Sequence, residues 1–310
     1  MALIYNFVEC IVEFQTLTHF LVVMDTGSFS AAARTLNITQ PALTKRIAAL
    51  ETELGVKLFD RLPRGVSPTS YGETLARHAR LIRRDVDNAG AEIDALRGAR
   101  TGSVQIGAGP SWVGDLLPRA IARVHAEHPE IRFFVNRLQD EKLFAGLRDG
   151  DLDMVVAGIQ PPPGFDDLDS RALISDDVKV VARTDHPLTR KNTPRLADLL
   201  GYPWVLMSPQ TVVRQVFDQL FHLGGLTPPQ PVVESDTLAM RMALPLHGDF
   251  LSFSACQNLS EMGVGSLVAL DIPECTWRRE SGVLTRTSGY VTPAAQRLID
   301  ELVIVCDGKL

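Results

Sequence analysis

Two sets of residues in this sequence have the types and spacing to act on a partner. The first is the run Thr39-Gln40-Pro41-Ala42-Leu43-Thr44-Lys45, with Arg61 and Arg64 some twenty residues on. A glutamine amide bonds an adenine edge through two hydrogen bonds, and a lysine reaches guanine or phosphate. A small alanine and a threonine methyl allow close approach to a thymine methyl. Arginines on a turn reach a phosphate or a minor groove. Ser30 and Thr39 complete the candidate DNA-binding set. The second set is Ser111, Asp140, Ser208, Gln210 and Thr211, polar groups that fall where short apolar runs give way to helical patterns. Backbone N–H groups at helix N-termini there favour a carboxylate or another anion. Asp140 argues for a ligand hydroxyl or a cation instead. Ser111, Asp140, Ser208 and Thr211 are equally the types that cap helices. Trp112, beside Ser111, fits core or rim more readily than a stacking platform.

Motifs for catalysis fail one by one. Gly107-Ala108-Gly109-Pro110-Ser111-Trp112 starts as a dinucleotide fingerprint but has Trp112 where the third glycine belongs. Gly109-Pro110-Ser111-Trp112-Val113 lacks the last glycine of a nucleophile elbow. Gly263-Val264-Gly265 is followed by Val268 rather than glycine. His125 and His128 flank Glu127, but no HExxH is present and Pro129 follows. The expectation is no catalytic residue, no metal and no cofactor. Cys10, Cys256, Cys275 and Cys306 form no CxxC pair and read as reduced thiols.

The elements that must position the first set are short and helical. Leu17, Phe20, Leu21 and Met24 mark one buried face, and Gly27 ends it. Ser28 or Ser30 caps a second helix with Phe29, Ala33 and Leu36 inward. Thr39 caps a third, with Pro41 in its first turn and Leu43, Ile47, Leu50 and Leu54 inward. Two short helices joined tightly, the second polar from its first turn, form a helix-turn-helix, whose second helix enters the major groove. Val56–Arg61 and Leu62–Thr69 then suggest a β-wing around a Pro/Arg/Gly turn.

A net charge of −6 speaks against nucleic acid only if it is spread evenly. It is not: residues 1–100 hold 12 basic against 11 acidic residues, and 101–310 hold 19 against 26. From Gln15 to Ser70 the balance is six basic to four acidic, a modest surplus that favours linked modules over a single one.

The run Gly27-Ser28-Phe29-Ser30-Ala31-Ala32-Ala33, Leu36, Thr39-Gln40-Pro41-Ala42-Leu43-Thr44, Ile47, Leu50-Glu51, Leu54-Gly55, Leu58-Phe59-Asp60-Arg61 and Gly72-Glu73 strongly resembles the N-terminal domain of LysR-type transcriptional regulators. The resemblance implies a winged helix-turn-helix read through Gln40, Pro41, Ala42, Thr44 and Lys45. Weaker patches continue it: Leu116-Leu117-Pro118, His128-Pro129, Leu147–Asp153 and His186-Pro187-Leu188 look like the periplasmic-binding-protein-like effector domain of the same regulators. It further implies a cleft lined by Ser111, Trp112, Asp140, Ser208, Gln210 and Thr211, and chain crossings between subdomains near Ser175–Val178 and Ile272–Cys275.

Between the two parts, Leu75, Ala79, Ile82, Val86, Ala89, Ile93 and Leu96 form a heptad seam and are the candidate dimerisation residues. Beyond Gly102, apolar runs alternate with helical patterns, which points to a largely parallel α/β sheet with helices on both sides. Expected domains are a leader at 1–14 of undecided role, a winged helix-turn-helix at 15–70, a linker helix at 71–100 and an effector domain at 101–310. The last divides into subdomain 1 (101–175 and 275–310) and subdomain 2 (176–274).

The function expected is a ligand-responsive regulator on a roughly palindromic promoter site. It would act as a homodimer or homotetramer, with a carboxylate or sugar acid as effector and RNA polymerase as a further partner. The start of the chain shows neither a basic n-region nor a cleavage site, and no apolar run reaches the ~20 residues of a membrane helix, so the expected compartment is the cytoplasm. The competing readings are a transport-type solute-binding protein and a small-molecule enzyme on a doubly wound fold.

Overall fold

The computed structural model describes residues 13–96, 102–137, 140–160, 164–261 and 265–307. Most of the leader at 1–14 lies outside them. Contacts divide the chain into two units, residues 1–99 with 149–151, and residues 100–148 with 152–310. No helix among the described residues is long and apolar enough to cross a membrane.

The first unit starts with α1 (Phe14–Thr26), α2 (Phe29–Thr35) and α3 (Gln40–Leu54). Its caps explain where each helix stops and starts. Gly27 ends α1 in the left-handed region at φ 61°, the Ser28 hydroxyl accepts from Ala31 N, and the Thr39 hydroxyl accepts from Ala42 N. Phe20, Leu21, Ala32, Ala33, Leu43, Ile47, Leu50 and Leu58 form the core. Phe59 joins it, with its ring 5.4 Å from Phe20 and 5.8 Å from Phe29. The hairpin β1 (Phe59–Arg61) and β2 (Val66–Pro68) is antiparallel, and Val66 N donates to Gly27 O at 2.9 Å. A β-carbon at Gly65 would stand 2.5 Å from that same Gly27 oxygen, so the wing tip can dock on the α1–α2 turn only as glycine.

Helix α4 (Ser70–Leu96) has 27 residues and at ~1.5 Å per residue extends for about 40 Å. Its seam is not uniform. Ala79 is buried in the core of the first unit and Leu75 packs against that core, whereas Ile82, Val86, Ala89 and Ile93 are exposed. The side chain of Leu96 lies outside what is described. Two of the seven positions therefore serve the core of the first unit itself, because the same 3–4 spacing continues one helix face from intramolecular core to open surface.

The second unit contains β3 (Gly102–Ala108), α5 (Leu116–Glu127), β4 (Ile131–Arg137), α6 (Asp140–Arg148) and β5 (Met154–Gly158). Next come the long β6 (Leu168–Arg183), β7 (Val205–Leu206), α7 (Val212–Leu223), β8 (Val233–Glu234) and α8 (Leu238–Ala243). Then follow β9 (Ser252–Ala255), α9 (Gln257–Glu261), β10 (Leu267–Ala269), β11 (Trp277–Arg286) and α10 (Pro293–Cys306). Thr292 caps α10, with Pro293 in its first turn.

The main sheet runs β10-β6-β11-β5-β3-β4, with β9 on β6. It is mixed rather than largely parallel. Only β5, β3 and β4 run parallel in it, while β6 pairs antiparallel with β9, β10 and β11, and β11 with β5. The cause is that β6 and β11 travel between two separate cores in opposite senses. One core gathers Val104, Trp112, Leu116, Ile174, Val283 and Leu298. The other gathers Val178, Trp204, Phe217, Phe221 and Phe253, with Trp277 packed on it. Along β6 the change of core falls between Ile174 and Val178, and along β11 between Trp277 and Val283.

Candidate functional site

The first candidate surface lies on α3. Gln40, Pro41, Ala42 and Lys45 are exposed and Thr44 half-exposed, opposite the buried Leu43, Ile47 and Leu50. Thr39 is exposed, but its hydroxyl is committed to the cap. Ser30, exposed on α2, donates from Oγ to Gln40 Oε1 at 2.9 Å. Arg61 ends β1 and Arg64 sits in the wing turn, both exposed. Arg46 is already engaged, with Nη1 3.0 Å from Gln15 Oε1 and 3.0 Å from His19 Nδ1. Burial, with Arg46 beside it, lowers the pKa of His19 and so favours the neutral imidazole.

Helix α3 and the β1–β2 hairpin are fastened together by Glu51. Its carboxylate accepts from Leu58 N at 2.9 Å and pairs with Lys57 Nζ at 2.6 Å. Burial alone would raise its pKa, but the Lys57 bond and the N–H groups of Leu58 and Phe59 outweigh this and hold it below the usual carboxylate range.

The second candidate site is a cavity of about 320 Å³ in the second unit, at the place where β6 and β11 change cores. Ser111 and Thr211 both line it. Ser111 is buried after β3, its Oγ accepting from Arg279 Nη2 at 3.0 Å. Thr211 caps α7, its Oγ1 accepting from Arg214 N and donating to Ser208 O.

The other residues expected at the cleft are placed differently. Trp112 does not line the cavity: it is fully buried in the first core, where its indole N–H donates to Ser281 Oγ at 2.7 Å. Ser208 donates to the carboxylate of Asp236 from both its backbone N and its Oγ, at 3.0 and 2.8 Å. Gln210 is exposed outside the lining. Asp140 begins α6, and its side chain lies outside what is described.

Several lining residues had no local motif to announce them. Arg137 Nη2 donates to Asp236 O at 2.7 Å, and Arg279 and Trp277 come from β11. Arg241 lines the cavity at 5% exposure, and its Nε has no hydrogen-bond partner among the described residues. Burial, then Arg137, lowers its pKa to about 10 against the opposing pull of Asp236, which leaves it charged at neutral pH. One signal could have found it: Arg241 is the single charged residue in the apolar stretch Leu238–Leu246. Asn258 also lines the cavity, with Nδ2 bonded to Ser254 Oγ at 2.8 Å and Oδ1 left buried without a partner among the described residues.

Comparison with known proteins accounts for both parts of the chain. Residues 14–73 match the family of bacterial regulatory helix-turn-helix proteins of the lysR type, and residues 97–307 match the LysR substrate binding domain. The HTH-type transcriptional regulator GalR of Pseudomonas putida is 32% identical over 281 residues, covering 90% of this chain and 70% of that protein. The SDS degradation transcriptional activation protein of a Pseudomonas species is 31% identical over 293 residues, covering 92% of this chain and 94% of that one.

Among solved structures, ArgP from Mycobacterium tuberculosis shares the fold at a TM-score of 0.73 and 18% identity, over 94% of this chain and 97% of that one. CbnR complexed with its target DNA shares it at a TM-score of 0.63 and 19% identity, over 94% of this chain and 99% of that one. With a helix-turn-helix presenting Gln40 and Lys45, a cavity in the second unit, and both parts matched, the chain belongs to the LysR family of ligand-responsive, DNA-binding transcriptional regulators.

Proposed function

We propose that this regulator binds a roughly palindromic promoter site as a homodimer or homotetramer in the cytoplasm. Its transcriptional output would change when a small molecule occupies the cavity. In this reading residues 15–70 contact DNA, 71–100 hold subunits together and 101–310 sense the effector. Ser30, Thr39, Gln40, Pro41, Ala42, Thr44 and Lys45 face the major groove, with Arg61 and Arg64 on the backbone or minor groove. The exposed seam residues Ile82, Val86, Ala89 and Ile93 pair with a second copy, since apolar side chains at heptad spacing on an open helix face need a partner. Two-fold symmetry then sets the half-sites about one helical turn apart.

The observation that carries the sensing role is the cavity's position on the two strands that pass between the cores. A ligand there touches both halves of the domain and favours one arrangement of them over another. That shift would alter the spacing of paired DNA modules, the bend of the promoter and contact with RNA polymerase. No turnover is required, and the failed catalytic motifs agree with a non-enzymatic role. The test is a mobility shift of the chain's own upstream DNA against random DNA at physiological salt. Specific retardation supports the proposal, and equal binding to both rejects it.

A further inference from the structure

The cavity's polar lining is mostly spent on itself. Ser111 holds Arg279, Thr211 holds Arg214 N and Ser208 O, and Ser254 accepts from Asn258. The carboxylate of Asp236 is occupied by Ser208, and Glu280 is exposed to water. Buried in this lining without a hydrogen-bond partner among the described residues are Nε of the Arg241 cation and the acceptor Oδ1 of Asn258. A buried polar group without a partner destabilises the fold, so both are stabilised by a ligand that supplies the missing groups. The first turn of α7 lines the same cavity. Thr211 Oγ1 satisfies Arg214 N, but Val212 and Val213 have no carbonyl within the helix to bond, and their N–H groups carry the positive end of the helix dipole. The rest of the wall includes Phe144, Val178, Phe253 and Trp277. At about 320 Å³ the cavity is roughly twice the ~150 Å³ that accommodates a benzene ring.

We propose that the effector is a small carboxylate-type anion with an apolar body and one hydrogen-bond donor. Its charge is held by Arg241 and the first turn of α7, its body lies against Phe144, Phe253 and Trp277, and its donor meets Asn258. This rests on the reading of the cavity as the effector site. It also separates the two effector classes that the sequence left open. A sugar acid needs a partner for each of its several hydroxyls, whereas much of this wall is apolar, through Phe144, Val178, Phe253 and Trp277. An apolar acid needs few.

The experiment uses the full-length protein and matched acid–amide pairs: 3-hydroxybenzoate with 3-hydroxybenzamide, phenylacetate with phenylacetamide, and hexanoate with hexanamide, with gluconate alongside. Binding is read by thermal shift and calorimetry. At least one apolar acid is expected to raise the melting temperature, and its amide to bind at least tenfold more weakly. Arg241→Gln is expected to lose at least tenfold in affinity for the acid, Arg241→Lys to lose less, and Asn258→Ala to lose the preference for the hydroxylated acid. Both Arg241 variants should still shift the promoter fragment without ligand, so loss of ligand binding and loss of the regulator reading are read separately. Binding of gluconate but none of the apolar acids, equal binding of acid and amide, indifference to Arg241→Gln, or silence of every acid would each overturn the proposal.

Discussion

Ser30 Oγ donates to Gln40 Oε1 at 2.9 Å, joining the first turn of α2 to the first turn of α3. The bond restrains a long side chain that would otherwise sample several rotamers before meeting a base. Its amide N–H₂ is left for a partner, and Oε1 keeps a second lone pair. Both residues are exposed, so the bond contributes little to folding. Ser30→Ala is therefore expected to leave the melting temperature nearly unchanged and to weaken promoter binding several-fold. Gln40→Ala should cost about 1–3 kcal/mol at one base pair and relax its identity. Anisotropy titrations on promoter fragments substituted one base pair at a time check both. Additive losses in the double variant would show that Ser30 does not act through Gln40.

Ala79 and Ile82 are neighbours on the seam, but only Ala79 is inside the module's core, at 1% exposure against 45% for Ile82. The same aspartate substitution should separate two functions. Ala79→Asp buries a charge and is expected to unfold the DNA-binding module. Ile82→Asp should leave helicity and melting of the isolated subunit near wild type while abolishing the dimer, and with it specific DNA binding. Sedimentation velocity and circular dichroism together decide. A dimeric Ile82→Asp protein that still binds its operator would refute the seam assignment.

These cases show why some features were legible in the sequence and others were not. The helices α1 to α3 could be read because each carries its own punctuation: Gly27, the Ser28 cap, and Thr39 before Pro41. The seam could be read as a pattern, but its periodicity is the same whether Ala79 meets a core or Ile82 meets another chain. Strand β11 was missed because its first half, Trp277-Arg278-Arg279-Glu280, is too charged to resemble a strand. It is one only through its long-range register with β6, where Arg279 stands opposite Asp176. Arg241 escaped for a similar reason, since no spacing rule links it to Ser111 or Thr211 across the cavity.

Glu51 makes the tie between α3 and the wing pH-dependent. Its pKa in the folded chain lies below the ordinary carboxylate value, so its stabilising contribution is present above the unfolded pKa and is lost as pH falls through the folded one. Glu51→Gln cannot pair with Lys57 and should lower stability at pH 7. The gap to wild type should close as pH drops below the ordinary value of about 4.3. Denaturant midpoints of both proteins from pH 7 down to pH 3 test this, and a gap that stays constant with pH would contradict it.

Ser111 and Trp112 are adjacent in sequence and should nonetheless answer different experiments. Trp112 Nε1 donates to Ser281 Oγ, which donates in turn to Ala157 O at 2.7 Å, a buried relay beside the point where the β6–β11 register shifts. A β-carbon at the next residue, Gly282, would collide with Arg171 O, so the backbone there has no slack to repair a lost bond. Trp112→Phe removes the donor and part of the ring volume, and is expected to cost about 2–4 kcal/mol by urea denaturation. Its affinity for an acid such as 3-hydroxybenzoate should stay within about twofold of wild type, because Trp112 does not touch the cavity. Ser111→Ala should do the reverse: a small change in stability, and altered ligand binding, because Arg279 loses the hydroxyl that anchors it at the cavity wall. If Trp112→Phe instead changed affinity at unaltered stability, the assignment of Trp112 to the core rather than the site would be wrong.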